Sequence, residues 1–190
     1  MPWSDDHKAR TRHRMLEAAA TLFTQRGFRG VSIDEVMQHA GLTRGAFYAH
    51  FTSKGELYAE ALQHAAQANV FRLEATTPRQ RVLGYLSEAH RQGQSINCPL
   101  ACLVSDVAQQ DKRVRDTYTR LFAGFVARCQ DTEGTAVERE RALQQAVTLI
   151  GGMAIARTLN DDALAEEVLV ACRGLAMVDA CSEDEPLERG

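Results

Sequence analysis

Apolar residues near the start of the chain recur at helical spacing. Leu16, Ala19, Ala20 and Phe23 fall at i, i+3, i+4 and i+7, one face of a helix. That pattern predicts a first helix from about Asp6 to Arg26, closed by Gly27, a residue able to take φ > 0 just past the last turn. Ser32 followed three residues later by Glu35 is a capping-box signature, so a short helix is expected from Ile33 to His39, ending at Ala40-Gly41. Thr43 is placed to cap a third helix, Arg44 to Ala49 or His50. Ser53 with Glu56 reads as a second capping box, opening a fourth helix at Lys54. Short helices joined by a Gly-containing turn are the helix-turn-helix pattern.

Helical patterning continues to the end of the chain, with few prolines and no sustained period-2 alternation. The fourth helix runs to about Leu73. Pro78 sits in the first turn of a fifth, to about Arg91, and Pro99 opens a sixth, to about Gln110. A seventh spans about Lys112–Gln130, an eighth Ala136–Leu159 and a ninth Asp162–Val178. The reading is an all-α protein of about nine helices, with an N-terminal three-helix helix-turn-helix domain (residues 1–55). A C-terminal helical bundle follows (56–181), then a flexible acidic tail (182–190).

Charge adds an asymmetry that the overall value of −3 conceals. Residues 1–55 carry eight Lys/Arg against five Asp/Glu, and the remainder fourteen against twenty. A basic end joined to an acidic body fits a polyanion partner for the N-terminal part only. No apolar run is long enough to span a bilayer and no secretory signal pattern opens the chain, so a cytoplasmic location without a membrane partner is expected. The five cysteines form no metal-ligand spacing and the six histidines are scattered, so no metal and no cofactor is expected.

The stretch TLFTQRGFRGVSIDEVMQHAGLTRGAFYAHFTSKGEL resembles the DNA-binding domain of TetR/AcrR-family repressors over about residues 10–60. Phe23, Gly27, Phe28, Val36, Ala40, Gly41, Tyr48, His50, Phe51, Lys54 and Leu57 carry the resemblance. Val31 and Met37 depart from it where Thr and Ala are usual. The resemblance implies that Tyr48, His50 and Lys54 bind phosphate. Read by their chemistry, Arg44 can reach guanine O6 and N7 bidentately, Gly45 and Ala46 let the backbone sit deep in a groove, and Thr43 suits a phosphate or a thymine methyl. Ser32, at an exposed helix start, suits a phosphate. Phe47 and Phe51 read as core. Lys8, Arg10, Arg12 and Arg14 are equally a DNA-contacting cluster or a solvated face.

The resemblance further implies an effector pocket within helices five to seven and a homodimer built on helices eight and nine. Pocket candidates are Tyr85, Leu100, Leu103, Val104, Tyr118, Leu121, Phe122 and Phe125, each equally readable as ordinary core. Interface candidates are Val147, Ile150, Gly151, Ala154, Leu164, Val168 and Cys172. Cys98 and Cys102 flank a helix start at Pro99. They read either as sensor thiols, activated by the helix field, or as two small buried hydrophobes. The expected protein is a sequence-specific regulator acting on palindromic double-stranded operator DNA. It is a repressor released by a small-molecule or electrophilic effector, with no catalytic residues. The alternatives are a protein-interaction module of helix-turn-helix shape and a helical enzyme, and no nucleophile–base set or phosphate loop speaks for the latter.

Overall fold

The computed structural model describes residues 5–73, 77–94, 98–130 and 135–178, and every regular element among them is a helix. In chain order these are α1 (Asp5–Arg26), α2 (Ile33–His39), α3 (Arg44–Phe47), α4 (Lys54–Leu73), α5 (Pro78–Tyr85) and α6 (Glu88–Arg91). They continue with α7 (Pro99–Cys102), α8 (Val104–Val107), α9 (Lys112–Cys129), α10 (Ala136–Thr158) and α11 (Asp162–Val178). Residues 182–190, expected as a tail, and Cys181 lie outside the described residues. The chain divides into two compact units, Met1–Phe71 with Asn97–Phe122, and Arg72–Ile96 with Ala123–Gly190. Segment 97–122, expected within the effector and dimerisation region, thus groups with the N-terminal helices.

The eleven helices exceed the expected nine because two expected helices are broken. The fifth stops at Leu86 (φ −92°, ψ 43°), and Ser87 caps the separate α6 by accepting from the His90 N–H. The sixth breaks at Leu103 (φ −124°, ψ 12°), giving α7 and α8. Neither break has a Gly or Pro at its site; long-range bonds accompany both. Arg173 Nε donates to the Leu86 carbonyl at 2.8 Å, satisfying an acceptor that the helix end leaves open. Beyond Leu103, α8 presents Asp106 to the turn after α1. The third helix is also shorter than expected, ending at Phe47, after which both the His50 and Phe51 N–H groups turn back to the Phe47 carbonyl.

The first unit is built on one apolar core. Met15, Ala19 and Phe23 of α1 pack with Val36 and Met37 of α2, Phe47 of α3, Phe51, and Leu57, Tyr58 and Leu62 of α4. Leu103, Val107 and Val114 complete it. Each such side chain contributes about 1.5–3 kcal/mol by leaving water. Phe23 and Tyr58 meet edge to face at 4.8 Å, a preferred aromatic geometry. Gly27 (φ +69°) and Gly41 (φ +64°) hold left-handed conformations that end α1 and α2 as expected.

In the second unit α10 and α11 form a helical hairpin, flanked by α5 and α6. Ala142, Ala146, Leu149, Met153 and Ala156 of α10 are buried, with Ala165, Leu169 and Ala176 of α11. A Cβ on Gly152 would lie 2.5 Å from Cys172 Sγ, so this glycine is required by the close approach of the two helices. Its neighbour Gly151 has nothing within 4 Å of such a Cβ. Arg91 clamps this unit, pairing with Glu88 and with Asp162 at 2.7 Å.

Candidate nucleic-acid interface

The N-terminal unit presents α3 after a capped turn. Ser32 is the N-cap of α2, and the expected capping box forms: Ser32 Oγ accepts from the Glu35 N–H, and Glu35 Oε2 accepts from the Ser32 N–H at 2.7 Å. The bond from the Ser32 N–H, then one from its hydroxyl at 2.8 Å, with Arg26 as a lesser cause, hold the Glu35 carboxyl below its ordinary range. Ser32 is exposed, with its hydroxyl and N–H both engaged by that carboxylate. The second expected box does not form. Ser53 Oγ does accept from the Glu56 N–H at 3.1 Å, but the Glu56 carboxylate turns to the Thr52 N–H and hydroxyl instead. Thr43 occupies the N-cap position of α3, yet its hydroxyl makes no cap bond, contrary to expectation.

Phe47 points inward and is fully buried, stacked on Phe51 at 5.8 Å, while Tyr48 is 61% exposed. Thr43, Arg44 and Gly45 are exposed with it on the same short helix. A Cβ on Gly45 would have nothing within 4 Å, so the fold itself does not require glycine there. Arg44 Nη1 bonds Asp34 Oδ2 at 2.7 Å, on the surface. Its side-chain bond to Tyr48 and the Asp34 charge raise its pKa further.

The remaining candidates sit deeper. His50 is half-buried, and its Nδ1 has no hydrogen-bond partner among the described residues. Burial first, then the charges of Lys8 and Arg12, push its pKa down. The Lys54 ammonium bonds the Phe28 carbonyl and lies 4.1 Å from the centre of the Phe28 ring. Burial pushes its pKa down as well. Arg12 pairs with Glu60 and covers Phe51 at 5.0 Å. Arg14 Nη2 donates to the Ala40 carbonyl at 2.5 Å, closing the end of α2. Two of the four basic residues left open between DNA contact and solvent thus have intramolecular work, and Arg10 pairs with Asp6 at 2.8 Å on the surface.

Two residues of this unit escaped sequence reasoning. Asp34 holds Arg44, and Asp106 of α8 accepts from the Phe28 N–H at 3.2 Å and from the Tyr58 hydroxyl at 2.5 Å. Asp34, in the first turn of α2, reads in sequence only as an acidic first-turn residue. Nothing in the local pattern around Asp106 signals its partners.

The pocket candidates are distributed over both units. Tyr85 and Phe125 belong to the second, their rings 5.5 Å apart. Leu100, Leu103, Val104, Tyr118, Leu121 and Phe122 belong to the first, where Leu100 and Leu103 are buried and Val104 is exposed. The Tyr118 hydroxyl donates to the Leu100 carbonyl at 2.7 Å. Cys98 is buried at the N-cap position of α7, and Cys102 is half-buried. Of the interface candidates, Val147 and Leu164 are exposed, and Gly151, Ala154 and Val168 are half-buried. Ile150 is buried, and Cys172 is half-buried against Gly152.

The family model for bacterial regulatory proteins, tetR family, matches residues 15–61, the same helices that build this surface. Residues 15–61 are therefore similar to the N-terminal domain of that family. It is 39% identical over 64 residues to the HTH-type transcriptional regulator AcrR of Shigella flexneri, covering 34% of this chain and 29% of that protein. It is 36% identical over 64 residues to the HTH-type transcriptional repressor KstR2 of Rhodococcus jostii, covering 33% and 31%. The chain therefore spans about a third of the length of the curated relatives it matches. Solved structures extend the likeness of fold. A TetR-family transcriptional regulator from Cytophaga hutchinsonii superposes with a TM-score of 0.72 at 17% identity, covering 94% of this chain and 98% of that one. Reduced NemR of E. coli superposes at 0.67 and 20% identity, covering 86% and 95%.

Proposed function

We propose that the chain is a dimeric, effector-controlled transcription regulator that represses by occupying palindromic operator DNA. The observation that carries the reading is the division of α3: Phe47 anchors it in the core, while Thr43, Arg44, Gly45 and Tyr48 stand exposed together. That is the arrangement a recognition helix needs. The open space over Gly45 supports a close approach of a base edge, because no neighbouring group of the protein accounts for the missing side chain. Arg44 reads guanine after releasing Asp34, an exposed pair that costs little to break. Tyr48 and His50 serve phosphates, Ser32 does so on releasing the Glu35 carboxylate, and Lys54 retains two donors beyond the one given to Phe28.

The second unit supplies the dimer. Val147 and Ile155 on α10 and Leu164 and Leu175 on α11 are large apolar side chains left exposed, beside the open Gly151. A second copy laid on this face buries them and sets two reading heads about 34–36 Å apart, one per major-groove turn. The effector is a small organic molecule. No helix among the described residues is long and apolar enough to cross a membrane, in keeping with a cytoplasmic site of action.

Selection of duplexes from a random pool, followed by anisotropy titration of the recovered sequence, tests the reading. Arg44→Ala is expected to weaken operator binding by about 1–3 kcal/mol and to relax preference at one base pair. Failure to enrich any sequence, with equal affinity for all duplexes, refutes it.

A further inference from the structure

Three ligand-type side chains outside the DNA surface converge where α1 meets α4. His13 and Glu17 stand one turn apart on α1, with His13 Nε2 at 3.5 Å from Glu17 Oε1. His64 of α4 meets the His13 ring edge-on, the ring centres 5.1 Å apart. One ligand atom from each of the three lies within 4.8 Å of the other two. We propose that His13, Glu17 and His64 form a binding site for a late first-row divalent cation, with Zn²⁺ as its typical occupant.

The chemistry of the set points the same way. Two imidazoles and one carboxylate are a donor set that zinc takes with water in the fourth position, and a pair at i, i+4 on one helix face is a recurrent half of such sites. With bonds of about 2.1 Å, tetrahedral ligand atoms stand about 3.4 Å apart. The His13–Glu17 separation already matches that spacing, and the His64 ligand atom lies within 4.8 Å of both. His13 and Glu17 are exposed and His64 is half-buried, so the ion has a path in from solvent. Bound there, it cross-links α1 to α4 within the N-terminal unit. The donors come from two distant parts of the chain, which is why spacing in the sequence does not announce them.

The test uses full-length protein stripped with a chelator and passed through a desalting column. Zn²⁺ is titrated against a chromophoric competitor, and melting is followed with and without the ion. One site per chain and a higher Tm with Zn²⁺ are expected. Glu17→Gln and His13→Gln, both exposed substitutions, should each weaken binding at least about tenfold, since even outer-shell losses cost that much. The His13→Gln/His64→Gln double variant should lose the site, with its helical circular dichroism retained as a fold control. Substituted with Co²⁺, the site should show a nitrogen–oxygen ligand field. Undiminished binding in the double variant, or a cobalt–thiolate charge-transfer band, would assign the metal to other groups and overturn the proposal.

Discussion

Asp106 offers the sharpest test of how the N-terminal unit is held together. Its Oδ2 accepts from the Tyr58 hydroxyl at 2.5 Å and from the Phe28 N–H at 3.2 Å, and Oδ1 sits against Gly27. Both bonds are charge-assisted and so stronger than neutral ones. Asp106→Ala strands the Tyr58 hydroxyl on a residue that is 0% exposed. An orphaned buried donor costs about 1–3 kcal/mol. The Phe28 N–H belongs to a half-buried residue, and water can replace part of its bond, so its share is about 1 kcal/mol. The sum, about 2–4 kcal/mol, should lower Tm by roughly 5–15 °C in a chain of this size. Urea unfolding at pH 7, followed by circular dichroism, measures it. Tyr58→Phe in the Asp106→Ala background removes the orphan and should return about 1–3 kcal/mol, whereas Tyr58→Phe alone should destabilise. If Asp106→Ala costs under about 0.5 kcal/mol, or the two substitutions are simply additive, Asp106 is not the anchor of the α1–α2 turn.

Two further outcomes are expected. His90 is fully buried, with Nδ1 2.6 Å from the Tyr85 carbonyl, and burial lowers its pKa from 6.5 to about 4, with Arg157 adding to the fall. A depressed folded pKa gives stability that is present above pH 6.5 and lost as pH falls towards about 4, a loss of about 3 kcal/mol in all. Chemical denaturation across that range should show this acid limb in the wild type and not in His90→Asn; parallel curves would rule it out. For the thiols, burial of Cys98 predicts that maleimide, tracked by mass spectrometry, labels Cys102 faster than Cys98 in the folded protein. Faster labelling of Cys98, together with loss of operator binding on its modification, would instead restore it as a sensor.

The elements that were legible in the sequence are those written within one or two turns of chain. Ser32 and Glu35 are three residues apart, so their reciprocal bonds could be read from spacing alone, and Gly27 and Gly41 mark left-handed positions that few other residues would accept. The same rule misled at Ser53, where the Glu56 carboxylate takes the N–H and hydroxyl of the neighbouring Thr52 instead. The breaks at Leu86 and Leu103 were illegible for a different reason. Each residue is buried and has ordinary helical propensity, and long-range bonds stand at both points, Arg173 on the Leu86 carbonyl and Asp106 on Phe28. Both bonds join residues remote in sequence, so no window of sequence contains the competing terms.

The surface proposed to meet DNA shows the same division. Its exposed residues follow from an amphipathic α3, with Phe47 inward and Arg44 and Tyr48 outward. The electrostatics of that surface do not follow, because a basic residue in a sequence looks identical whether its charge is spent or available. Arg12, Arg14 and Lys54 each satisfy a carboxylate or carbonyl of their own unit. Arg44 alone among these stands on α3, and its partner, Asp34, is itself exposed. An exposed pair is screened by salt and easily exchanged, whereas a guanidinium holding a helix end is not. In the proposed function, specific reading falls to the one of these cations whose own ion pair is cheap to give up, while Arg12 and Arg14 fix the shape from which it reads.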